Sequence, residues 1–271
     1  MTQITIFGGK GFVGGRLVAH YQRLGRDVRV ITRDNWPKDG EALGEVIYAI
    51  GMTASFRRYP LQTAQTQVVH LHEVLSRYTY ASLLYLSSTR VYRDAPSTRE
   101  DTALLLRPTR PDDVYNATKL AGEALCAALD NPKVRVARLA NVYGASDHSE
   151  LFLTDVMREA ASTGKVLLRS APQSAKDYIH VDDAVALLAA ISEGGAHGFY
   201  NVASGINATN GELAEILRGL GVDVRFLPDA PDISFPLIDT SRARGEFSIV
   251  PKSLPMALPH VYRDIQKELE A

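Results

Sequence analysis

Cysteine is almost missing from this chain of 271 residues: Cys126 is the only one. That excludes an intrachain disulfide and a zinc site built on paired thiolates, and it fits a reducing compartment. An excess of charge of one sign is also lacking. Lys and Arg number 30 against 31 Asp and Glu, a net charge of −1, so there is no basic footprint for nucleic acid. Long apolar runs are missing too. Stretches such as residues 181–191 are interrupted by charge and too short for a bilayer. The opening MTQITIFGGKG has no charged segment leading into an apolar core of the secretory type. The expectation is a cytoplasmic protein with neither a membrane nor a nucleic-acid partner. What is present, 45% apolar and 23% charged residues, is ordinary for a globular chain and rules out global disorder.

The first half alternates short β-branched runs with helical patterns, as a parallel sheet wound with helices requires. Residues 4–7, 28–31, 46–49, 83–86 and 134–139 read as strands. Among them lie an apolar helix through Phe12, Val13, Leu17 and Val18, an amphipathic one over 61–75, and a third over 113–129. Beyond, 151–161, 181–191 and 210–220 read as helices, the last capped by Asn210, and 166–168 and 199–202 as strands. Prolines accumulate over 222–259, which predicts a partly extended lobe.

Gly8-Gly9-Lys10-Gly11-Phe12-Val13-Gly14 joins the first strand to the first helix. Gly8, Gly11 and Gly14 permit a tight turn, close approach of backbone to a pyrophosphate, and close helix–strand packing. The helix start at Phe12 and Val13 then offers unpaired N–H groups to phosphate. Such a triplet is a weak signal alone; its strand–turn–helix context gives it weight. A dinucleotide without a 2′-phosphate usually meets a carboxylate about 20 residues further on, at the end of the second strand. Thr32 and Arg33 stand there instead. A guanidinium suits a 2′-phosphate, and Lys10 can approach the same region, so NADP(H) is expected over NAD(H). In the alternative reading Arg33 is a solvated charge and Asp34 binds the ribose.

Tyr115-Asn116-Ala117-Thr118-Lys119 lies in a helical pattern, so Tyr115 and Lys119 share a face one turn apart. A free phenol, with a pKa of about 10, is a poor acid–base group at neutral pH, and a neighbouring ammonium lowers that value. Ser88, in Ser87-Ser88-Thr89-Arg90-Val91-Tyr92, falls at the carboxyl end of a strand, where open α/β sheets bind ligands. There it could hold a carbonyl oxygen while Tyr115 moves the proton.

Five further segments follow the glycine loop in order: SSTRVY from Ser87, YNATK from Tyr115, RLANVYG from Arg138, KDYIHVDD from Lys176 and YNVASG from Tyr200. From Ile4 to about Gly205 the chain resembles the extended short-chain dehydrogenases, the NAD-dependent epimerase/dehydratase family, which acts mainly on nucleotide sugars. The resemblance implies a Rossmann-like doubly wound parallel sheet with a smaller C-terminal substrate-binding lobe. Residues 1–145, with 181–205 returning to them, would hold the dinucleotide, and 146–180 and 206–271 the substrate.

The resemblance also implies roles: Tyr115 as general acid/base, Lys119 as its pKa modifier and ribose ligand, Ser88 as carbonyl orienter. Asn141 matches a position near the substrate diphosphate, and Lys176 stands where many relatives carry an arginine on that diphosphate. Lysine cannot reproduce the arginine fork. Sugar dehydratases of this kind carry an acidic pair where this chain has Thr89 and Arg90. Arginine cannot donate a proton at neutral pH, so dehydration is disfavoured. Arg90 and Arg93 add positive charge, to hold an anionic substrate group or to brace a salt-bridged loop.

The leading expectation is a reductase acting on a keto group of a nucleotide-linked sugar. The alternatives are an epimerase using the same Ser-Tyr-Lys site and a non-catalytic dinucleotide-sensing protein. A homodimer through the helix over 113–129 and the helix before strand four is implied as well. No metal site is expected, since His70 and His72, two apart on a helix, face different ways. Asp182, Asp183 and His180 read as helix-start and packing residues, and Trp36 lies in a loop near the expected adenosine edge.

Overall fold

The five strands expected in the first half all form, and each pairs in parallel with its neighbours. The structure, a computed structural model, describes residues 2–53, 55–145 and 151–270. The lobe boundary expected at 145/146 adjoins residues 146–150, which lie outside the described residues.

In chain order the first half runs β1 (Ile4–Phe7), α1 (Phe12–Arg23), β2 (Val28–Ile31), β3 (Glu45–Tyr48), α2 (Pro60–Ala64), a π-type turn over Gln65–Val69, α3 (His70–Arg77), β4 (Ser82–Ser88), α4 (Asp113–Ala128) and β5 (Val134–Leu139). The second half continues β6 (Asn141–Tyr143), α5 (Phe152–Thr163), β7 (Lys165–Leu168), β8 (Ala175–His180), α6 (Val181–Gly194), β9 (Gly198–Val202), β10 (Asn207–Thr209), α7 (Asn210–Gly219), β11 (Asp223–Phe226), α8 (Ser241–Glu246) and α9 (Leu254–Glu270).

The main sheet has the order β2-β1-β3-β4-β5-β9. Its strands read as continuous apolar runs because helices cover both faces. Alternate residues divide between two cores, as the strand period of two demands. Ile4, Ile6, Ile47, Leu84 and Leu86 meet Leu17 and Tyr21 of α1 and Leu187 and Leu188 of α6. Phe7, Val46, Tyr48, Leu83 and Tyr85 meet Leu71 and Val74 of α3 and Cys126 of α4. The winding reverses between β1 and β3, and at such a switch point the carboxyl ends of strands open into a crevice. Gly8 follows β1 and Ser88 ends β4 at that edge.

A third core joins Met157 of α5, Leu213 and Leu217 of α7, and Leu258, Val261 and Ile265 of α9, with Val166 and Val224 from the β11-β7 pair. A second small sheet, β10-β8-β6, links this core to the main sheet's edge. The extended segment expected through Pro259 is corrected in part. Residues 227–240 contain no helix or strand, with a turn at Pro228–Asp229, but α8 follows at Ser241–Glu246 and α9 begins at Leu254. Pro255 sits in its first turn, where no N–H is needed, and Pro259 is tolerated because Leu258, Val261, Tyr262 and Ile265 bury one helical face.

The cap of α7 is also corrected. Thr209, not Asn210, closes a capping box: its Oγ1 accepts from Glu212 N at 3.1 Å and Glu212 Oε2 accepts from Thr209 N at 2.7 Å. Asn210 is buried instead, with Nδ2 donating to Ser170 Oγ at 2.7 Å. His180 caps α6, its Nδ1 accepting from Asp182 N at 3.3 Å, and Asp182 and Asp183 occupy the first turn. Among the described residues no helix is long and apolar enough to cross a membrane.

Candidate active site

A cleft of about 470 Å³ opens where the glycine loop, the ends of β3 and β4, α4 and β8 converge. In the glycine loop, Gly8 adopts φ +81°, a region that favours glycine, and a Cβ there would lie 2.8 Å from the backbone of Ala49. A Cβ on Gly14 would run into the Gly8 carbonyl. Gly11 donates its N–H to Gly8 O at 2.9 Å and begins α1 with no side-chain cap and no acid in the first turn. The helix therefore points uncompensated N–H groups at the cleft, past Gly11, Phe12, Val13 and Gly14. This cradle fits a dinucleotide pyrophosphate.

At the end of β2, Thr32 caps a short 3-10 turn over Arg33–Asn35, and Asn35 Oδ1 accepts from its hydroxyl at 3.0 Å. Arg33 and Asp34 are both exposed, as is Lys10. Trp36 turns inward, edge-on to Phe7 at 5.3 Å and 5.2 Å from His70, so the core holds this ring rather than an adenine.

Tyr115, in the first turn of α4, is 4% exposed and lines the cleft. Ser88 and Lys119 line it too. Burial raises the Tyr115 phenol above its ordinary value; hydrogen bonds with the Ser88 and Thr53 side chains and the charge of Arg90 oppose the rise. Lys119, expected to act on the phenol, donates from Nζ to Leu86 O at 2.9 Å and lies 5.2 Å from the Tyr85 ring centre. Burial lowers the Lys119 ammonium to about 8, and Glu123 one turn on opposes the shift. Arg90 is a further cation beside the phenol: it lies 5.7 Å from the Tyr115 ring centre and 5.0 Å from that of Phe56.

The loop arginines are ion-paired. Asp112 receives Arg57 through two bonds of 2.6 Å, Arg90 at 3.4 Å and Arg93 at 3.8 Å. Arg90 nevertheless lines the cleft, whereas Arg93 does not. Thr89 is buried, and its hydroxyl donates to Leu139 O at 3.3 Å. Asn141 Nδ2 donates to Asp177 O at 2.8 Å, tying β6 to β8. Lys176 reaches the cleft with its ammonium 4.6 Å from the Phe152 ring centre, and burial, then Arg90, lowers its pKa. Phe12, Val13, Thr89, Arg90, Asn141 and Lys176 therefore share one cleft with the Ser-Tyr-Lys set, while Lys10, Thr32 and Arg33 lie outside its lining.

Sequence reasoning missed the stretch after β3, Ile50 to Thr53, which lines the cleft, although the rule that ligands gather at strand carboxyl ends points to it. It also missed Gln67, buried in the π turn, whose Oε1 accepts from Thr118 Oγ1 at 2.8 Å. Phe235 and Pro236 approach the cleft from the extended segment with no signal in the sequence.

The profile of the NAD dependent epimerase/dehydratase family matches residues 43–203. The chain belongs to that family. Within it, the chain is 28% identical over 196 residues to a dTDP-glucose 4,6-dehydratase of Streptomyces griseus, a match covering 67% of this chain and 57% of the relative. The chain thus spans little more than half of that relative's length. It is 28% identical over 213 residues to a GDP-6-deoxy-D-mannose reductase of Pseudomonas aeruginosa, covering 72% and 68%. A solved structure of RMD from Pseudomonas aeruginosa complexed with NADPH superposes with a TM-score of 0.78 at 21% identity, covering 98% of this chain and all of that one. This likeness establishes the α/β fold with its parallel central sheet.

Proposed function

We propose that this family member is a reductase that protonates a keto oxygen of a nucleotide-linked sugar through Tyr115. The carrying observation is a buried phenol that lines the cleft together with Ser88, with Lys119 one turn along the same helix. The glycine cradle at Gly8, Gly11 and Gly14 holds the dinucleotide, with α1 on its pyrophosphate. Bound there, the dinucleotide supplies the hydride. Ser88 orients the keto oxygen by hydrogen bonding, and Tyr115 delivers its phenolic proton. The hydrogen bonds from Ser88 and Thr53 and the charge of Arg90 then stabilise the phenolate left behind. Lys119 keeps two N–H donors beyond its bond to Leu86, suited to ribose hydroxyls. Asn141 and Lys176 are assigned to the diphosphate side. Residues 1–145 with 181–205 are assigned to the dinucleotide, and 146–180 with 206–271 to the substrate.

A dehydratase stands among the relatives, but the buried hydroxyl of Thr89 and the guanidinium of Arg90 cannot supply the acid that dehydration needs. Net NADPH oxidation on adding a nucleotide-linked keto sugar is the deciding experiment. Turnover without cofactor consumption would assign an epimerase, and binding with no turnover a sensor.

The free, exposed Arg33 supports NADP(H) over NAD(H). Arg33→Ala is expected to weaken NADPH about tenfold while leaving NADH within about twofold, as loss of one charge-assisted contact to phosphate would do. Unchanged affinity for both in fluorescence titrations would return Arg33 to the solvent and the ribose to Asp34. Gly14→Ala forces a methyl into the Gly8 carbonyl, and overpacking of this kind costs about 1–3 kcal/mol. The expected result is NADPH affinity reduced about tenfold or more; an unchanged dissociation constant would remove the loop from the cofactor site.

Assembly as a cytoplasmic homodimer is proposed on the exposed apolar residues of the helices flanking this half: Leu61 at 81%, Val69 at 48% and, at the end of α4, Leu129 at 43%. Light scattering at micromolar concentration is expected to give twice the chain mass, and a monomer would refute it.

A further inference from the structure

Among the described residues, the charged ones lining the cleft are Arg90, Lys119, Lys176 and Asp177. Asp177 offers the cleft no free charge. It is 2% exposed, and its carboxylate accepts from Ser204 N at 2.8 Å, Ser204 Oγ at 2.9 Å, Gly205 N at 2.7 Å and Ile206 N at 3.2 Å. Among the described residues the charge of the lining is therefore positive. Lys119 is bound to the Leu86 carbonyl, but Lys176 has only the face of Phe152 beside it. Arg90 shares one carboxylate, Asp112, with Arg57 and Arg93, and its Nε is buried with no hydrogen-bond partner. A buried donor of a charged group left unsatisfied is costly, and a bound anion relieves that cost.

Lys176 and Arg90, the second sharing its one carboxylate with two other arginines, sit at different ends of the chemistry. In a nucleotide sugar the diphosphate is bonded to the anomeric carbon, which cannot then be the ketone. The reacting carbon lies further round the ring. Arg90 follows Ser88 by two residues and its guanidinium lies against the Tyr115 ring, so its charge faces the reacting carbon rather than the diphosphate. A diphosphate accounts for Lys176 on β8 and leaves Arg90 unmatched.

Resting on the nucleotide-sugar reading above, we propose that the substrate is an acidic sugar: a carboxylate on the sugar ring, next to the reacting carbon, is received by Arg90. A planar carboxylate matches the guanidinium fork.

The test uses the full chain saturated with NADP⁺ and two matched pairs of probes, UDP-glucuronate against UDP-glucose and GDP-mannuronate against GDP-mannose, titrated by calorimetry. The acidic member of at least one pair is expected to bind about tenfold tighter, as a charge-assisted hydrogen bond provides. Arg90→Gln is expected to reduce that preference below about twofold. Arg90→Lys, which keeps a charge beside Asp112, reduces it part-way, and Lys176→Met weakens both members of a pair alike. Each variant is compared with itself across a pair, so a general loosening of the site does not mimic the result. Nucleotide sugars that bind without acidic preference, or a preference that survives Arg90→Gln, would overturn the proposal and leave the nucleotide-sugar reading standing. Failure of every probe to bind would overturn both.

Discussion

Tyr115→Phe is expected to lower kcat for keto-sugar reduction by roughly 10²–10⁴-fold, the range for loss of a positioned general acid, while NADPH affinity stays within about twofold. The substitution removes one oxygen and keeps the ring. Packing against Phe56, at 5.1 Å between ring centres, and the approach of the Arg90 guanidinium both survive. The Ser88 and Thr53 hydroxyls lose a partner at a site that opens into the cleft, where water can take its place, so folding is disturbed by about 1 kcal/mol at most. A large loss of turnover with intact binding and folding would therefore report the missing proton. NADPH oxidation followed by absorbance, alongside fluorescence titration of the same sample, separates these effects. If the variant turned over at the wild-type rate, a proton donor other than the phenol would have to be found. Because burial raises the phenol, Tyr115 enters the reaction protonated across the neutral range, which suits reduction better than the oxidative direction.

The chain announced its sheet through local pattern, and its candidate site through residues that are close in sequence. Strands such as the one over 83–86 read as unbroken apolar runs, and Gly8, Gly11 and Gly14 stand where the turn needs them, so no tertiary knowledge was required. Tyr115 and Lys119 lie one helical turn apart, and Ser88 ends a strand; those relations survive any error in packing. What was not legible depends on contacts between distant segments. The bond from Lys119 to the Leu86 carbonyl follows from how α4 lies on β4, which no spacing encodes. The placement of Arg90 on the Tyr115 ring depends on Asp112 and Arg57, residues separated from each other by more than half a hundred positions. The error at Asn210 has a smaller cause: Thr209 and Asn210 both suit a helix start, and Glu212 at the third position after Thr209 was the signal that distinguished them. The helix over Leu254–Glu270 was hidden because Pro255 and Pro259 read as breakers, although its apolar face has helical spacing.

The largest expected loss of stability lies beneath the site, where Glu123 of α4 and Arg138 of β5 form an ion pair with both side chains only 4% exposed. Glu123 Oε2 accepts from Arg138 Nη2 at 2.7 Å, and Oε1 accepts from Arg138 Nε at 3.0 Å and from the Ser87 hydroxyl. Arg138 Nη1 donates to Tyr92 Oη at 2.7 Å and to Glu100 O at 3.1 Å, and Tyr92 donates to Asn201 Oδ1 at 2.9 Å. The network thus fastens α4 to β4, β5 and β9 behind Ser88. Removing one partner leaves a buried, uncompensated charge, which costs about 3–5 kcal/mol. Glu123→Gln and Arg138→Met should each lower the free energy of unfolding by about that amount in urea. The double variant Glu123→Leu with Arg138→Met should lose less than either single change, because a well-packed apolar pair can replace a buried ion pair at little net cost. The chemistry above should respond as well. The charge of Glu123 holds the Lys119 ammonium up against burial, so its removal lowers that pKa further below about 8. The fall of NADPH binding at alkaline pH should then begin at lower pH in Glu123→Gln than in the wild type. Single variants as stable as the wild type would mean that Glu123 and Arg138 are each satisfied without the other, and an unmoved alkaline limb would separate Glu123 from Lys119.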